Sequence, residues 1–208
     1  MPKGSPELTR RRRQEIVDAC RDLYRTRSFK EISLKEIGEH TTCTRTCIYN
    51  YFQTKEEIFL AMFEGEYELW TASLEKILAH DAPLPAKELA SKLALSVSRR
   101  ALLLKLLSMN LYDMEENSRP GMLASLKVVF GRSMELVGRI LEKFCPWMDA
   151  DGREEFLYVF FPFMYGIYPY AVVTDRQRRA IAEAGIQYAF PTIHGLTLSC
   201  LRRLLNVK

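Results

Sequence analysis

Arg45, Thr46, Tyr49 and Asn50 project from one side of a short helical stretch. Their side chains suit the reading of polar edges. A guanidinium can donate a fork to guanine, and a carboxamide can pair with adenine or hydrogen-bond a phosphate. The hydroxyls of Tyr49 and Tyr51 are spaced for backbone phosphates, which position a protein on a duplex without reading its sequence. Ser33 and Thr44 add hydroxyls at the expected starts of two short helices, and Lys55 adds an ammonium at the start of a third. This is the chemistry of polyanion recognition, not of bond making. The sequence has no HExxH, no phosphate loop and no nucleophile–base pair, and His40, His80 and His194 are scattered. An enzyme is therefore not expected, and neither is a cofactor. His40, Cys43 and Cys47 offer only three potential metal ligands, so no metal is expected.

These side chains need two short helices held at a steep angle, with the second free to enter the major groove. Leu34, Ile37, Cys43, Ile48 and Phe52 form the inward apolar set for such a pair. Ser33 with Glu36 reads as a capping box that starts the first helix, and Thr44 caps the second. Thr54 with Glu57 reads as another capping box, launching a long helix to about His80. Upstream, a helix from about Thr9 to Arg27 places Ile16, Ala19, Cys20 and Leu23 on one face, and residues 28–30 break it. The charge agrees with this placement. Residues 1–55 hold 12 Lys and Arg against 7 Asp and Glu, whereas residues 56–208 hold 18 against 19. The surplus, with Arg10-Arg11-Arg12-Arg13 at its centre, lies only in the front of the chain, so only the front is expected to meet a polyanion.

The block Ile48-Tyr49-Asn50-Tyr51-Phe52, followed by Lys55-Glu56-Glu57-Ile58-Phe59, resembles the head of the tetracycline-repressor (TetR) family of bacterial one-component regulators. The likeness covers about residues 10–65, and Tyr-x-Tyr-Phe-x-x-Lys after the helix pair is its specific part. It implies an all-α homodimer with a three-helix helix-turn-helix head, residues 1–57, and a larger helical body, residues 58–208, for ligand binding and dimerisation. Position by position, it implies phosphate contacts by Ser33, Thr44, Tyr49, Tyr51 and Lys55. Lys35, Arg45, Thr46 and Cys47 would then lie nearest the bases. Tyr49 and Lys55 are expected to be replaceable without loss of stability. The turn departs from the pattern: the family usually has Ala-Gly-Val-Ser, and this chain has Thr41-Thr42-Cys43-Thr44. Losing the glycine is expected to force a β-branched residue toward positive φ, costing about 1 kcal/mol.

The rest reads as a helical body with enough apolar material for a core, since hydrophobic residues make up 48% of the chain and charged residues 27%. After the Asp81–Pro85 linker, residues 86–117 read as helical with a break near Ser98. Further helices are expected from about Arg119 to Phe144, from an Asp151/Glu154 cap through an aromatic stretch, from a Thr174/Gln177 cap to Gly185, and over residues 192–205. Residues 156–170 hold eight aromatics in fifteen. Residues 156–174 are uncharged and long enough to span a bilayer, yet Pro162, Gly166, Pro169 and four tyrosines argue for a buried core helix instead. Tyr67, Trp70, Met109, Met114, Phe160, Phe163, Met164 and Tyr168 are candidates to line an effector pocket. Dimerisation is expected through helices near 151–173 and 192–205.

Together these features predict a ligand-responsive repressor whose dimer leaves a palindromic double-stranded operator when a small apolar or aromatic effector binds. Alternatives are a DNA-binding regulator without an effector, an activator, or a thiol-based redox sensor through Cys43 and Cys47. Five cysteines without CxxC, and no apolar leader, point to reduced thiols in a bacterial cytoplasm, at the nucleoid and away from membranes.

Overall fold

The computed structural model describes residues 5–109 and 111–207, the side chains of Leu111 and Asp113 aside. Among these the chain forms eleven α-helices and one 3-10 turn. It divides into two compact units, Met1–Glu66 with Asn110–Phe130, and Tyr67–Met109 with Gly131–Lys208.

In the first unit, α1 (Pro6–Thr26) starts from Ser5, whose hydroxyl accepts from Leu8 N. Pro6 has its φ preset for a first turn, so the helix begins earlier than the apolar periodicity alone suggests. Residues 29–31, expected only as a break, make a 3-10 turn closed by a Ser28/Glu31 capping box. The pair α2 (Leu34–Glu39) and α3 (Arg45–Tyr49) follows, and then α4 (Lys55–Leu78). Ile16, Cys20, Ile37, Cys43, Ile48 and Phe52 are all buried, as is Phe59. The rings of Tyr24 and Phe29 meet Phe59 edge-on at 4.9 and 4.8 Å. Burying each such side chain contributes about 1.5–3 kcal/mol, and that burial fixes the angle between the short helices. Leu34 is only half-buried.

The stretch 86–117 is broken twice, into α5 (Ala86–Ser98), α6 (Ala101–Leu107) and α7 (Leu111–Glu116). Arg100 leaves helical geometry at φ −115°, ψ 46°, which separates α5 from α6. Next come α8 (Pro120–Phe144), α9 (Ala150–Ala171), α10 (Asp175–Glu183) and α11 (Ile193–Leu204). The cap of α9 is Asp149, not Asp151: its carboxylate accepts from Gly152 N at 2.8 Å. Thr174 and Gln177 do form a capping box on α10, and Gly185 follows with φ +67°. In the second unit α11 packs on α5 and α9, and α9 on α6. Leu201 and Leu205 are buried inside the chain itself, so α11 has less apolar surface to offer a partner than its sequence suggests.

Helix α9 continues through Pro162 and Pro169, both on its exposed side with Tyr158, Val159, Gly166 and Tyr170. Phe156, Phe160, Phe161, Met164 and Ile167 form its buried side. Among the described residues no single helix is long and apolar enough to cross a membrane; α9 and α10 meet that standard only as a pair bent by 77°.

Candidate nucleic-acid interface

Helix α3 turns one residue, Ile48, fully inward and leaves its other side open. Arg45, Thr46, Tyr49 and Asn50 are exposed, and so are Ser33, Lys35 and Thr44; Cys47, Tyr51 and Lys55 are half-buried. The two short helices have different caps. Ser33 accepts from Glu36 N at 3.3 Å while the Glu36 carboxylate accepts from Ser33 N at 2.9 Å, completing the capping box. The Ser33 hydroxyl, chiefly, with the Ser33 N–H and the Arg27 guanidinium, donates to the Glu36 carboxylate and holds it below its ordinary range. Thr44 accepts from Cys47 N at 3.2 Å. Arg45 donates to the Tyr49 hydroxyl at 3.3 Å, with its guanidinium 5.8 Å from the ring centroid. The pair preorganises two groups that both face outward. Lys35 pairs with Glu39 at 3.9 Å.

Lys55 is more committed than its sequence position suggests. Its ammonium donates to the Phe29 and Ile32 carbonyls at 2.8 and 2.9 Å and lies 3.9 Å from the Phe29 ring centroid. An ammonium has three donors, so one stays available for a phosphate. The side chain also ties the start of α4 to the 3-10 turn, and the expectation that it is dispensable for stability does not survive this geometry.

The turn between α2 and α3 carries no positive φ, contrary to the expected strain. Side chains hold it instead. The Glu15 carboxylate accepts from Thr42 N, and Arg12 donates to the Thr42 hydroxyl. The Thr41 hydroxyl accepts from Cys43 N at 3.2 Å and lies 3.1 and 3.0 Å from the Gly38 and Cys43 carbonyls. The amide bond from Thr42, chiefly, holds the Glu15 carboxyl below its usual range. Neither Arg12 nor Glu15 is legible as a turn clamp from the sequence, being 27 residues or more away from it.

A second clamp closes the other end of the motif. The carboxylate of Glu57, fully buried, accepts from Arg119 Nε and Nη2 at 2.6 and 2.8 Å and from Gln53 N at 2.8 Å. Thr54 accepts from Glu57 N, but Glu57 reaches back to Gln53, so the expected box is shifted by one residue. Burial pushes the Glu57 carboxyl up; the Arg119 and backbone bonds outweigh it and hold it low. Arg119 also donates to the Tyr51 carbonyl at 3.2 Å, and Thr54 to the Asn117 carbonyl at 2.8 Å.

With this geometry in place, likeness to known proteins is decisive. Residues 16–62 match the family model described as "Bacterial regulatory proteins, tetR family", and residues 64–197 match "Tetracyclin repressor-like, C-terminal domain". The chain belongs to the TetR family of helix-turn-helix transcriptional regulators. It is 27% identical over 106 residues to the HTH-type transcriptional regulator RutR of Escherichia coli K12, covering 48% of this chain and 50% of RutR. This TetR-family chain thus spans about half the length of the curated relatives it matches. Its fold is similar to the MbdR regulator of Azoarcus sp. CIB, with TM-score 0.58, 18% identity and coverage of 93% of this chain and 96% of that one. It is also similar to FadR of Bacillus subtilis in complex with stearoyl-CoA, with TM-score 0.53, 17% identity and coverage of 92% and 97%.

In the body of this TetR-family protein, the aromatic residues singled out from the sequence fall into two groups. Tyr67, Trp70, Phe160 and Met164 are at most 1% exposed, whereas Phe163, Tyr168 and Met109 are half-buried. Met114 is buried in the first unit. Trp70 donates to Ser96 Oγ at 3.1 Å and meets Phe161 edge-on at 5.7 Å. Burial raises the Tyr67 hydroxyl well above its ordinary value, and the neighbouring Tyr165 hydroxyl adds to the effect. A hollow of about 370 Å³ in the second unit is lined instead by Pro169, Tyr170, Val173, Gln177, Ile181 and Tyr188 among others, and by none of these candidate residues. No spacing along the chain announces it, because α10 and the segment after it bring its far wall. Cys43 is buried, which pushes its thiol up to about 11, and the Cys47 thiol beside it pushes the same way. A thiol held protonated is a poor nucleophile, which weakens the redox alternative.

Proposed function

We propose that the protein is a homodimeric repressor that binds a palindromic operator and leaves it when a small apolar or aromatic effector occupies the body. The observation that carries the DNA reading is the outward face of α3: Arg45, Thr46, Tyr49 and Asn50 exposed, over a fully buried Ile48. In this reading Lys35, Arg45, Thr46 and Cys47 lie nearest the bases, and Asn50 pairs with adenine or hydrogen-bonds a phosphate. Ser33, Thr44, Tyr49, Tyr51 and Lys55 hold the phosphates on either side. The head is taken as residues 1–57 and the body as 58–208, and the protein works at the nucleoid in a bacterial cytoplasm.

An effector site among Tyr67, Trp70, Phe160, Phe163, Met164, Tyr168 and Met109 is supported by chemistry: a largely apolar lining with a few polar handles suits an apolar ligand. That FadR of Bacillus subtilis, which has a similar fold, was solved with stearoyl-CoA supports a ligand-binding body in this fold. The exposed side of α9, with Tyr158 65% and Tyr170 62% exposed, is the surface we assign to the partner protomer. The test is operator selection from a random duplex library, followed by titration of the complex with aromatic and acyl compounds. A palindromic consensus and release by one compound class are expected. A consensus without two-fold symmetry would refute the dimeric reading, and failure of every compound to release the duplex would count against the effector.

A further inference from the structure

The consecutive arginines Arg11, Arg12 and Arg13 of α1 do not share one role. Arg13 lies 5.2 Å from the Phe52 ring centroid and pairs with Glu64 at 3.8 Å, so it belongs to the packing of its unit. Arg12 holds the turn through Thr42, approaches Cys43 Sγ at 3.9 Å and pairs with Glu15 at 3.6 Å. Arg11 is exposed and its charge acts on Glu15, but among the described residues no hydrogen bond or ring contact ties it to the packing or to the turn. With Leu8, Arg12, Glu15 and Thr42 it lines a hollow of about 380 Å³ against the turn that precedes α3. These α1 positions recur at helical spacing, so a single face of α1 is turned to the turn.

We propose that Arg11 and the mouth of this hollow form a phosphate-binding site for the DNA backbone, adding to the contacts of the helix-turn-helix. The chemistry of the lining supports an anion of this kind. Two guanidiniums and the Thr42 hydroxyl converge there, and a guanidinium fork fits the paired oxygens of a phosphodiester. The wall also contains one carboxylate, Glu15, which repels an anion. Thr42 N and Arg12 engage its oxygens, which offsets part of that repulsion and leaves the exposed Arg11 as the guanidinium that meets the anion. Leu8, 43% exposed and lining the same hollow, offers apolar surface to a deoxyribose. Thr42 lies two residues before Thr44, the cap assigned to a phosphate above, so the site continues the phosphate-gripping edge of the motif onto α1.

This inference rests on the DNA reading, and the experiment separates the two. Binding of a duplex selected by the wild-type protein is measured against salt concentration for wild type, Tyr49→Ala, Arg11→Ala and Arg25→Ala. Arg25 lies near the far end of α1, where it pairs with Asp22 at 3.7 Å, and it reports the loss of one surface charge without a contact. Each phosphate contact contributes about 0.9 to the slope of log affinity on log salt, so Arg11→Ala should flatten a dimer's slope by about 2 while Arg25→Ala leaves it unchanged. Unfolding temperature should match wild type in both. An unchanged slope in Arg11→Ala, or an equal flattening in Arg25→Ala, overturns the Arg11 site. Wild-type binding that ignores salt, or unchanged affinity in Tyr49→Ala, instead overturns the DNA reading and the site with it.

Discussion

Single side chains in the head divide by whether they face outward alone or also hold the fold. Tyr49 is 46% exposed, and among the described residues its hydroxyl meets only Arg45 from the same helix face. Replacing it with alanine should weaken operator binding tenfold or more, on the order of 1.4 kcal/mol, with an unfolding temperature near wild type. Lys55 differs. Removing its ammonium strips two buried-side carbonyls of their donor and one aromatic ring of its cation. Lys55→Ala should therefore lower stability by about 1–3 kcal/mol as well as weaken binding, and chemical denaturation would measure it. A variant as stable as wild type would mean that the two carbonyls are satisfied by water.

At the scale of elements, the helix-turn-helix is held at both ends by residues distant in sequence. Glu15 and Arg12 fix the turn from α1, and Arg119 fixes the segment after α3 through Glu57 and the Tyr51 carbonyl. The turn shows the consequence most clearly. A glycine there would remove the hydroxyl that Arg12 holds and add backbone freedom to the unfolded chain. Restoring the family's residue, Thr42→Gly, should thus destabilise the head by about 1 kcal/mol. Thermal unfolding checks this, and a higher midpoint would show that the turn prefers the glycine after all. Helix α9 carries the other lesson of this scale: its prolines interrupt no packing because both lie on the exposed side.

For the whole molecule, acid is the condition that should loosen the head first. Glu15, Glu36 and Glu57 all have carboxyls held below their ordinary range in the fold. A group depressed in the folded state binds fewer protons there than in the unfolded chain. Its stabilisation is complete above the unfolded value, about 4.3, and is lost as pH falls through the folded value. The unfolding midpoint should be flat from neutrality to about pH 5 and should fall below about pH 4, less steeply in Glu57→Gln than in wild type. Parallel curves for the two proteins would show that Glu57 has no such linkage.

The local part of this protein was legible in its sequence, because local structure depends on neighbours within a turn or two. Ser33/Glu36 and Thr174/Gln177 announce capping boxes that form as expected, and the 3.6-residue pattern of Ile37, Cys43, Ile48 and Phe52 fixes the buried side of the motif. The outward set on α3 and the family signature Tyr49-x-Tyr51-Phe52-x-x-Lys55 follow from the same short range. Tertiary structure decided what no spacing encodes. It gave Arg119 to Glu57, 62 residues away, turned Arg12 and Glu15 into the clamp of a turn that lacks its glycine, and engaged Lys55 with two carbonyls. It also distinguished among Arg11, Arg12 and Arg13, which look alike in the sequence. The physical reason is that a charge or hydroxyl is specified by the partner that folding brings to it, and such partners have no period along the chain.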